Sequence, residues 1–247
     1  MGQRADFMDQ AENATEPVVD RALNEQLAAF PLFAGLPPES LSRLAGSGVP
    51  RFVRQDESVL QQGEPSPSLF IVLSGRLKMT RSLSNGRSVL LALFNPGDLV
   101  GIAPGLGGGP SDSTVEALES SLCLEVSRQS LLTAMGERPQ FLGELLPILT
   151  RRVAECNNCA VEATFFRVEP RFARLFLRLA ESVGQPRDGA TFIPVRLSRQ
   201  DLADMAGTTI ETSIRILSRW GKEGVVETIP GGFLIRDQAP LARLCGD

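Results

Sequence analysis

Short apolar runs separated by turn residues occupy the chain from residue 49 to residue 126. The runs include LFIVLSG, RLKMT and SVLLALF, and the breaks include GEPSPS, LSNGRS and NPGD. Runs of this length are typical of β-strands, and Asn85-Gly86 between two of them indicates a hairpin, because both central residues of that turn need a positive φ. Many short strands at this spacing predict an all-β sandwich, jelly roll or barrel.

One long helix is predicted to follow the strands, from about Pro139 to Phe166. Uncharged apolar or small residues recur along it at the alternating spacing of four and three that is typical of a coiled coil. We interpret them as the seam of a dimer; the alternative is a helix that packs on its own β domain. Pro147 removes a backbone hydrogen bond within this helix and should kink it. The seam residues are Leu142, Leu146, Leu149, Val153, Cys156, Ala160 and Ala163.

Three helices and a hairpin are predicted after residue 166, and the first helix starts at Pro170. Ser198 can cap a helix over residues 199–206, Gly207 supplies a tight turn, and Thr209 can cap a second helix from about Ile210 to Trp220. A helix, a glycine turn and a second helix at this spacing predict a helix-turn-helix, with an ordinary helical hairpin as the alternative. The segment ETIPGGFLIRD that follows is typical of a two-stranded wing.

The absence of histidine excludes most familiar enzymes. None of the 247 residues is a histidine, so the chain cannot build a Ser-His-Asp or Cys-His nucleophile, a histidine-ligated metal centre or a histidine-held haem. No carboxylate pair lies in a recognisable catalytic motif. A cupin-type enzyme would share the strand pattern, but its metal site depends on histidine. We therefore predict neither an enzyme nor a metal site.

Cysteine usage, hydropathy and charge indicate the compartment and the partners. Four cysteines are too few and too scattered for a secreted disulfide scaffold. No apolar stretch is long enough for a signal peptide or a membrane span, so we predict a cytoplasmic protein with reduced thiols and no membrane contact. Residues 1–166 hold 13 basic and 19 acidic side chains, whereas residues 167–247 hold 12 and 10. The near-neutral carboxyl-terminal part suits a regulator whose basic contacts lie on one element.

Four stretches, taken in order, carry a family resemblance: PLFAGL, GEPSPSLFIVLSGRLKM, FNPGDLVG and LSRQDLADMAGTTIETSIRIL. They span about residues 30–240 and resemble the bacterial cyclic-AMP receptor / fumarate-nitrate regulator (CRP/FNR) family of transcription factors. The resemblance implies an α+β fold with an N-terminal cyclic-nucleotide-binding-like β-roll (jelly roll), a long dimerisation helix and a C-terminal winged helix-turn-helix. The expected boundaries are a disordered arm at 1–21, the sensor domain at 22–136, the dimerisation helix at 137–166 and the DNA-binding domain at 167–247.

The resemblance also implies a function. The chain is expected to form a homodimer that reads a two-fold symmetric site in double-stranded DNA through the helix at 210–220, with RNA polymerase as a further partner. A small-molecule effector would control it. The alternative is a ligand- or thiol-sensing regulatory module that lacks sequence-specific DNA binding.

Two side chains of that helix match the family's base-reading pair. The carboxylate of Glu211 can accept a hydrogen bond from cytosine N4, and the guanidinium of Arg215 can donate to guanine O6 and N7. The two residues are four apart, so a surface ion pair is the alternative. Ile214 replaces the serine of the fumarate-nitrate branch and could touch a thymine methyl group. The predicted DNA-binding residues, of which the first three are assigned to phosphates, are Arg199, Thr208, Thr209, Glu211, Thr212, Ile214 and Arg215.

The sensor loop departs from the cyclic-AMP branch of the family. That branch has a glutamate after the loop glycine and an Arg-Ser pair on the phosphate of its ligand. Here Ile102 follows Gly101, and Ser111-Asp112 stands where the Arg-Ser pair is expected. A cyclic phosphate would meet an aspartate with no guanidinium to neutralise it, which argues against cyclic AMP.

Cysteines supply the remaining candidate switch. None precedes Cys123, so the N-terminal iron-sulfur cluster of the fumarate-nitrate branch is not supported. The resemblance places Cys156 and Asn157 where the cyclic-AMP branch contacts the purine of its ligand. Cys156 and Cys159 also form a CxxC, a redox or metal motif in other settings, although Cys156 can equally be a small seam residue. The candidate effector or switch residues are Gly101, Ile102, Ser111, Asp112, Ser113, Cys156, Asn157 and Cys159.

Overall fold

The computed structural model describes residues 16–84, 88–137 and 140–245. The hairpin predicted at Asn85-Gly86 and the first 15 residues of the predicted arm lie outside this part. Within these ranges the chain divides into two compact units, one formed by described residues of 16–79 and 92–150, the other by described residues of 80–91 and 151–245. No helix of the described residues combines the length and the hydropathy that a membrane span requires.

Two helices precede eight short strands in the first part of the described chain, with one helix after the sixth strand and another after the eighth. Helix α1 begins at Glu16, whereas the predicted arm ran to residue 21; Leu23 and Leu27, four residues apart on this helix, are buried in the core. The elements are α1 (Glu16–Ala29), α2 (Pro38–Ser47), β1 (Val49–Val53), β2 (Ser58–Leu60), β3 (Ser68–Ser74), β4 (Leu77–Ser82), β5 (Ser88–Phe94), β6 (Leu99–Val100), α3 (Ile102–Gly107), β7 (Thr114–Ala117), β8 (Ser121–Ser127) and α4 (Arg128–Glu137).

Two four-stranded sheets form the predicted sandwich. Their strand orders are β1-β8-β3-β6 and β2-β7-β4-β5. Strand β3 pairs antiparallel with β8 and β6 and is buried on both faces. Phe70 and Val72 belong to the core between the sheets, whereas Leu69 and Ile71 pack with α1 and α2 in a second core. This alternation is the period of two that a strand imposes on its side chains.

The long helix α5 spans Gln140–Phe165 and continues through Pro147. The Thr150 hydroxyl donates to the carbonyls of Leu146 (3.0 Å) and Pro147 (3.1 Å) one turn earlier. The helix therefore persists past a residue that cannot donate a backbone hydrogen bond.

The predicted seam of α5 divides into two groups. Leu142, Leu146 and Val153 are 41, 56 and 60% exposed in a single chain. Leu149 instead packs against the second core of its own unit, beside the buried Leu145, which the predicted seam did not include. The alternative interpretation, a helix on its own β domain, therefore applies to Leu149, whereas the dimer seam stays a prediction for the exposed residues.

A four-stranded sheet of order β11-β12-β10-β9 completes the second unit. The hairpin of β11 and β12 is the predicted wing. The hairpin of β9 and β10 was missed, although Asp188-Gly189 at its turn adopts positive φ at both residues (51° and 75°), as a tight two-residue turn requires. The elements are α6 (Val168–Val183), β9 (Gln185–Arg187), β10 (Ala190–Ile193), α7 (Arg199–Met205), α8 (Ile210–Lys222), β11 (Val226–Ile229), β12 (Gly232–Ile235) and α9 (Ala239–Cys245).

An aromatic cluster holds the helices of the second unit against this sheet. The ring of Trp220 on α8 meets Phe172 and Phe176 on α6 edge-on, with centroids 6.3 and 6.0 Å apart. Phe176 in turn meets Phe233 on β12 at 5.3 Å. Edge-to-face packing of this kind fixes ring orientation as well as burying apolar area, so α8 has one defined side toward the core.

Candidate nucleic-acid interface

The helix-turn-helix begins at a capping box. Ser198 Oγ accepts the backbone N–H of Asp201 (3.0 Å), and the Asp201 carboxylate accepts the backbone N–H of Ser198 (2.8 Å). These bonds satisfy donors that a helix start leaves without partners, so α7 begins at Arg199, as predicted. After Met205 the chain turns at Gly207, whose φ of 62° is the left-handed conformation that glycine adopts at little cost.

Thr209 caps α8, as predicted. Its Oγ1 accepts the backbone N–H of Thr212 (3.4 Å) and lies 3.3 Å from the Thr212 hydroxyl. The hydroxyls of Thr209 and Thr212 therefore both take part in the hydrogen bonds of the cap, and Thr212 is half-buried. The helix runs to Lys222, two residues beyond the predicted end.

The two faces of α8 differ sharply in burial. Side chains of one face enter the aromatic core, and side chains of the other face lie in solvent, with the period of 3.6 residues that an amphipathic helix shows. Among the exposed residues, Ile214 retains 47% of its surface. The buried residues are Ser213, Ile216, Leu217 and Trp220, and the exposed ones include Glu211, Ile214, Arg215 and Ser218.

Glu211 and Arg215 do not form the ion pair that their spacing allowed. Hydrogen bonds from its own backbone N–H and from the Thr209 hydroxyl hold the pKa of the Glu211 carboxyl below its usual range. Arg215 has no ion-pair or hydrogen-bond partner among the residues that the structure describes. The two charged groups are therefore independent, one an exposed acceptor and the other an exposed donor.

Arg199, predicted to contact a phosphate, is already engaged with the wing. Its Nη2 donates to Thr228 Oγ1 (2.7 Å), and its guanidinium lies 5.9 Å from the ring centroid of Phe233. Partial burial lowers the pKa of Arg199. Thr208, assigned the same role, is half-buried in the turn, where its backbone N–H donates to the Ala203 carbonyl (2.9 Å).

Sequence reasoning missed an exposed arginine beside the cap. Arg196 lies three residues before α7 and lines a groove of about 290 Å³ together with Ser198, Thr228 and Gly231 of the wing. Within the described part of the chain it has no hydrogen-bond or ion-pair partner. The signal in the sequence was the basic residue two positions before the capping serine in VRLSRQ.

The candidate effector residues of the sensor loop bond largely to one another. The Ser111 hydroxyl is buried and donates to the Ser113 carbonyl (2.7 Å), while the Ser113 hydroxyl donates to Asp112 Oδ1 (3.1 Å). Gly101 adopts a φ of 79° just before α3, and the Ile102 side chain packs against the second core of its unit. The two serine hydroxyls are therefore occupied within the loop.

Cys156, Asn157 and Cys159 are exposed on α5 and belong to the second unit, not to the unit of the sensor loop. Both cysteines are free thiols. Partial desolvation raises the pKa of Cys159, with the Arg178 guanidinium opposing it. A raised pKa disfavours the thiolate, which is the reactive form of cysteine.

Alkylation by iodoacetamide is expected to modify the exposed cysteines of the native protein and to leave the buried one unmodified. Burial in the sandwich core raises the pKa of Cys123 to about 12, so at pH 8 on the order of one Cys123 thiol in ten thousand is ionised. Peptide mass spectrometry of native protein should therefore find carbamidomethyl groups on Cys156 and Cys159, and on Cys123 only after unfolding in urea. Rapid modification of Cys123 in the native state would contradict this order.

Comparison with known families identifies two domains in successive parts of the chain. Residues 50–138 match the cyclic nucleotide-binding domain, and residues 170–244 match the Crp-like helix-turn-helix domain. The second match covers α6 to α9 with the wing. The match to a helix-turn-helix domain favours a DNA-binding regulator over a regulatory module that lacks DNA binding.

Relatives match over most of their length. The chain is 28% identical over 221 residues to the CRP-like cAMP-activated global transcriptional regulator of Mycobacterium tuberculosis, covering 90% of this chain and 99% of that protein. It is 23% identical over 194 residues to the fumarate and nitrate reduction regulatory protein of Escherichia coli, covering 78 and 77%. The solved structure of FixK2 from Bradyrhizobium japonicum superposes with a TM-score of 0.70 at 24% identity, covering 80 and 96%, which supports a shared fold.

Proposed function

Since the chain belongs to the CRP/FNR family of DNA-binding transcription regulators, we propose that it works as a homodimer that reads a two-fold symmetric site in double-stranded DNA through α8. One observation supports this most directly: α8 exposes Glu211, Ile214 and Arg215 while its opposite face is buried in the aromatic core. A helix held by one face can place the other in the major groove. Members of this family are transcription regulators rather than enzymes.

Base reading is proposed for the exposed face of α8. Arg215 donates to guanine O6 and N7, and Glu211 accepts from cytosine N4. The Glu211 carboxylate is ionised at neutral pH and can accept hydrogen bonds, and its lowered pKa extends this state to more acidic pH. Ile214 presents an apolar surface to a neighbouring thymine methyl group.

Phosphate contacts are proposed around the start of α7 and α8. Thr208 and Thr209 lie at the start of α8, where backbone N–H groups favour anions. Arg199 contributes through the guanidinium nitrogens that do not face Thr228. We add Arg196 to this group, because its charge is exposed and has no protein partner within the described residues.

The exposed stripe on α5 supports the homodimer. Leu142, Leu146 and Val153 recur at spacings of four and seven residues and leave their apolar side chains in water in a single chain. Burying such residues against a second copy is favourable by about 25 cal/mol per Å² of apolar area. A dimer would place its two reading helices about 34 Å apart, one turn of DNA.

The proposed effector is not cyclic AMP, although the relative from M. tuberculosis is named as cAMP-activated. Ser111 and Ser113 use their hydroxyls within the loop, and Asp112 would repel a phosphate. Thiol chemistry at Cys156 is the other route to a switch that the candidate residues offer. A cytoplasmic location and contact with RNA polymerase complete the proposal.

Selection from a random duplex library tests the function. The wild-type protein should enrich a two-fold symmetric sequence with half-sites one helical turn apart, and fluorescence anisotropy should show much tighter binding to it than to a random duplex of the same length. Saturating cyclic AMP should change that affinity less than about twofold. Recovery of no preferred sequence, or of a site without two-fold symmetry, would contradict the proposal. The enriched sequence is hereafter the selected duplex.

A further inference from the structure

The first turn of α6 contacts the last turns of the proposed reading helix and the turn that precedes that helix. This first turn follows the end of α5 after only Phe166 and Arg167. Glu169 and Arg171 project from it, and because they are two residues apart on a helix they point in different directions. Glu169 reaches the last turns of α8, and Arg171 reaches the turn that precedes α8.

At the carboxyl end of α8, Glu169 receives two donors. Its Oε1 accepts a hydrogen bond from Trp220 Nε1 (3.1 Å) and an ion-paired hydrogen bond from Arg219 Nη2. Trp220 is 2% exposed, so its indole N–H has lost its water and depends on this acceptor. The carboxylate also lies in the first turn of α6, where the helix dipole favours a negative charge. The Glu169 carboxylate thus fixes the rotation of the indole, and with it the end of α8.

At the amino end of α8, Arg171 supports the turn. Its Nη2 donates to the Gly207 carbonyl (3.4 Å), and a Cβ built on Gly207 would lie 3.2 Å from its Nη1. Gly207 is the left-handed residue of the turn between α7 and α8. The guanidinium therefore contacts the backbone of the turn from which α8 starts.

We propose that Glu169 and Arg171 are positioning residues that set the angle of α8. The inference rests on the proposed base reading by α8. Hydrogen bonds to base edges need good distances and angles, whereas attraction to phosphates depends mainly on charge. Releasing either contact should therefore reduce discrimination between sequences more than it reduces binding to DNA in general.

Variants at Glu169 test the proposal with the selected duplex and a random duplex. Glu169→Ala removes the acceptor for Trp220 and the partner of Arg219, and it should weaken binding to the selected duplex at least tenfold but to the random duplex less than twofold. Glu169→Gln keeps an oxygen that can accept from the indole, so its loss should be intermediate. The matched control is Glu181→Ala, an exposed residue at the other end of the same helix, which should leave both affinities unchanged.

Trp220 supplies a readout that a general loss of stability would not give. It is the only tryptophan of the sequence, so the intrinsic emission of the native protein reports its surroundings. Glu169→Ala should shift this emission while circular dichroism remains native, and Glu181→Ala should not. If Glu169→Ala fails to fold, Glu169→Gln and Arg171→Lys, which keeps the charge but not the guanidinium, provide the same comparison.

The outcomes distinguish this proposal from the function on which it rests. A wild type that prefers no duplex overturns the base-reading proposal. The positioning role is wrong if the wild type prefers the selected duplex and the Glu169 variants keep that preference. It is also wrong if those variants lose equal affinity for both duplexes. Selective loss on the selected duplex together with a shifted Trp220 emission supports it.

Discussion

Arg215→Ala is expected to weaken binding to the selected duplex by about 1–3 kcal/mol, or roughly 5- to 150-fold, and to relax the preference at one guanine in each half-site. The physical reason is that a bidentate guanidinium contact distinguishes guanine from the other bases. Because Arg215 has no hydrogen-bond or ion-pair partner within the described part of the chain, the substitution breaks none of these bonds there. Its effect on affinity therefore reflects DNA contacts. Fluorescence anisotropy with base-substituted duplexes measures both quantities.

Two control variants separate base reading from general attraction. Glu181→Ala, at the exposed end of α6, lies outside the proposed DNA-contacting residues and should change neither affinity appreciably. Arg196→Ala should weaken binding to the selected and the random duplex alike. It should also flatten the dependence of affinity on salt, because binding with one phosphate contact fewer releases fewer counterions. Equal losses on both duplexes for Arg215→Ala would remove it from the base-reading residues.

Much of the helix-turn-helix was predictable because its signals are local. The hydroxyls of Ser198 and Thr209 cap α7 and α8 by accepting the backbone N–H of the residue three positions later. Gly207 is favoured at the turn because its own backbone adopts a positive φ. Each of these features depends only on residues close together in the sequence, so it can be predicted from the local pattern. The missed hairpin of β9 and β10 was also local, since Asp188-Gly189 carries the same turn chemistry as Asn-Gly.

Contacts between distant residues could not be predicted in the same way. Glu169 and Trp220 are 51 positions apart, and Arg199 and Thr228 are 29 apart; neither pair leaves a pattern in the sequence. The same limit explains the seam of α5. Helical spacing identifies apolar residues but not which surface they meet, so it did not assign Leu149 to the core of its own unit.

Val153→Asp is expected to dissociate the proposed homodimer. In a single chain Val153 is 60% exposed near the middle of α5, so in a two-fold seam two aspartates would face each other without solvent. An uncompensated buried charge costs about 3–5 kcal/mol, which corresponds to a loss of at least about 100-fold in dimer affinity. Sedimentation velocity should show a monomer where the wild type is a dimer, and specific DNA affinity should fall with it because one protomer holds only one reading helix.

Asn158→Asp provides the matched control. It adds the same carboxylate to the exposed surface of the same helix, but at 100° per residue it lies about 140° around the axis from Val153. A charge there stays in water and should leave the sedimentation profile at that of the wild type. Dissociation by both substitutions would point to general repulsion along α5 rather than to a seam. A wild type that sediments as a monomer at micromolar concentration would remove the dimer, and two-fold reading of DNA with it.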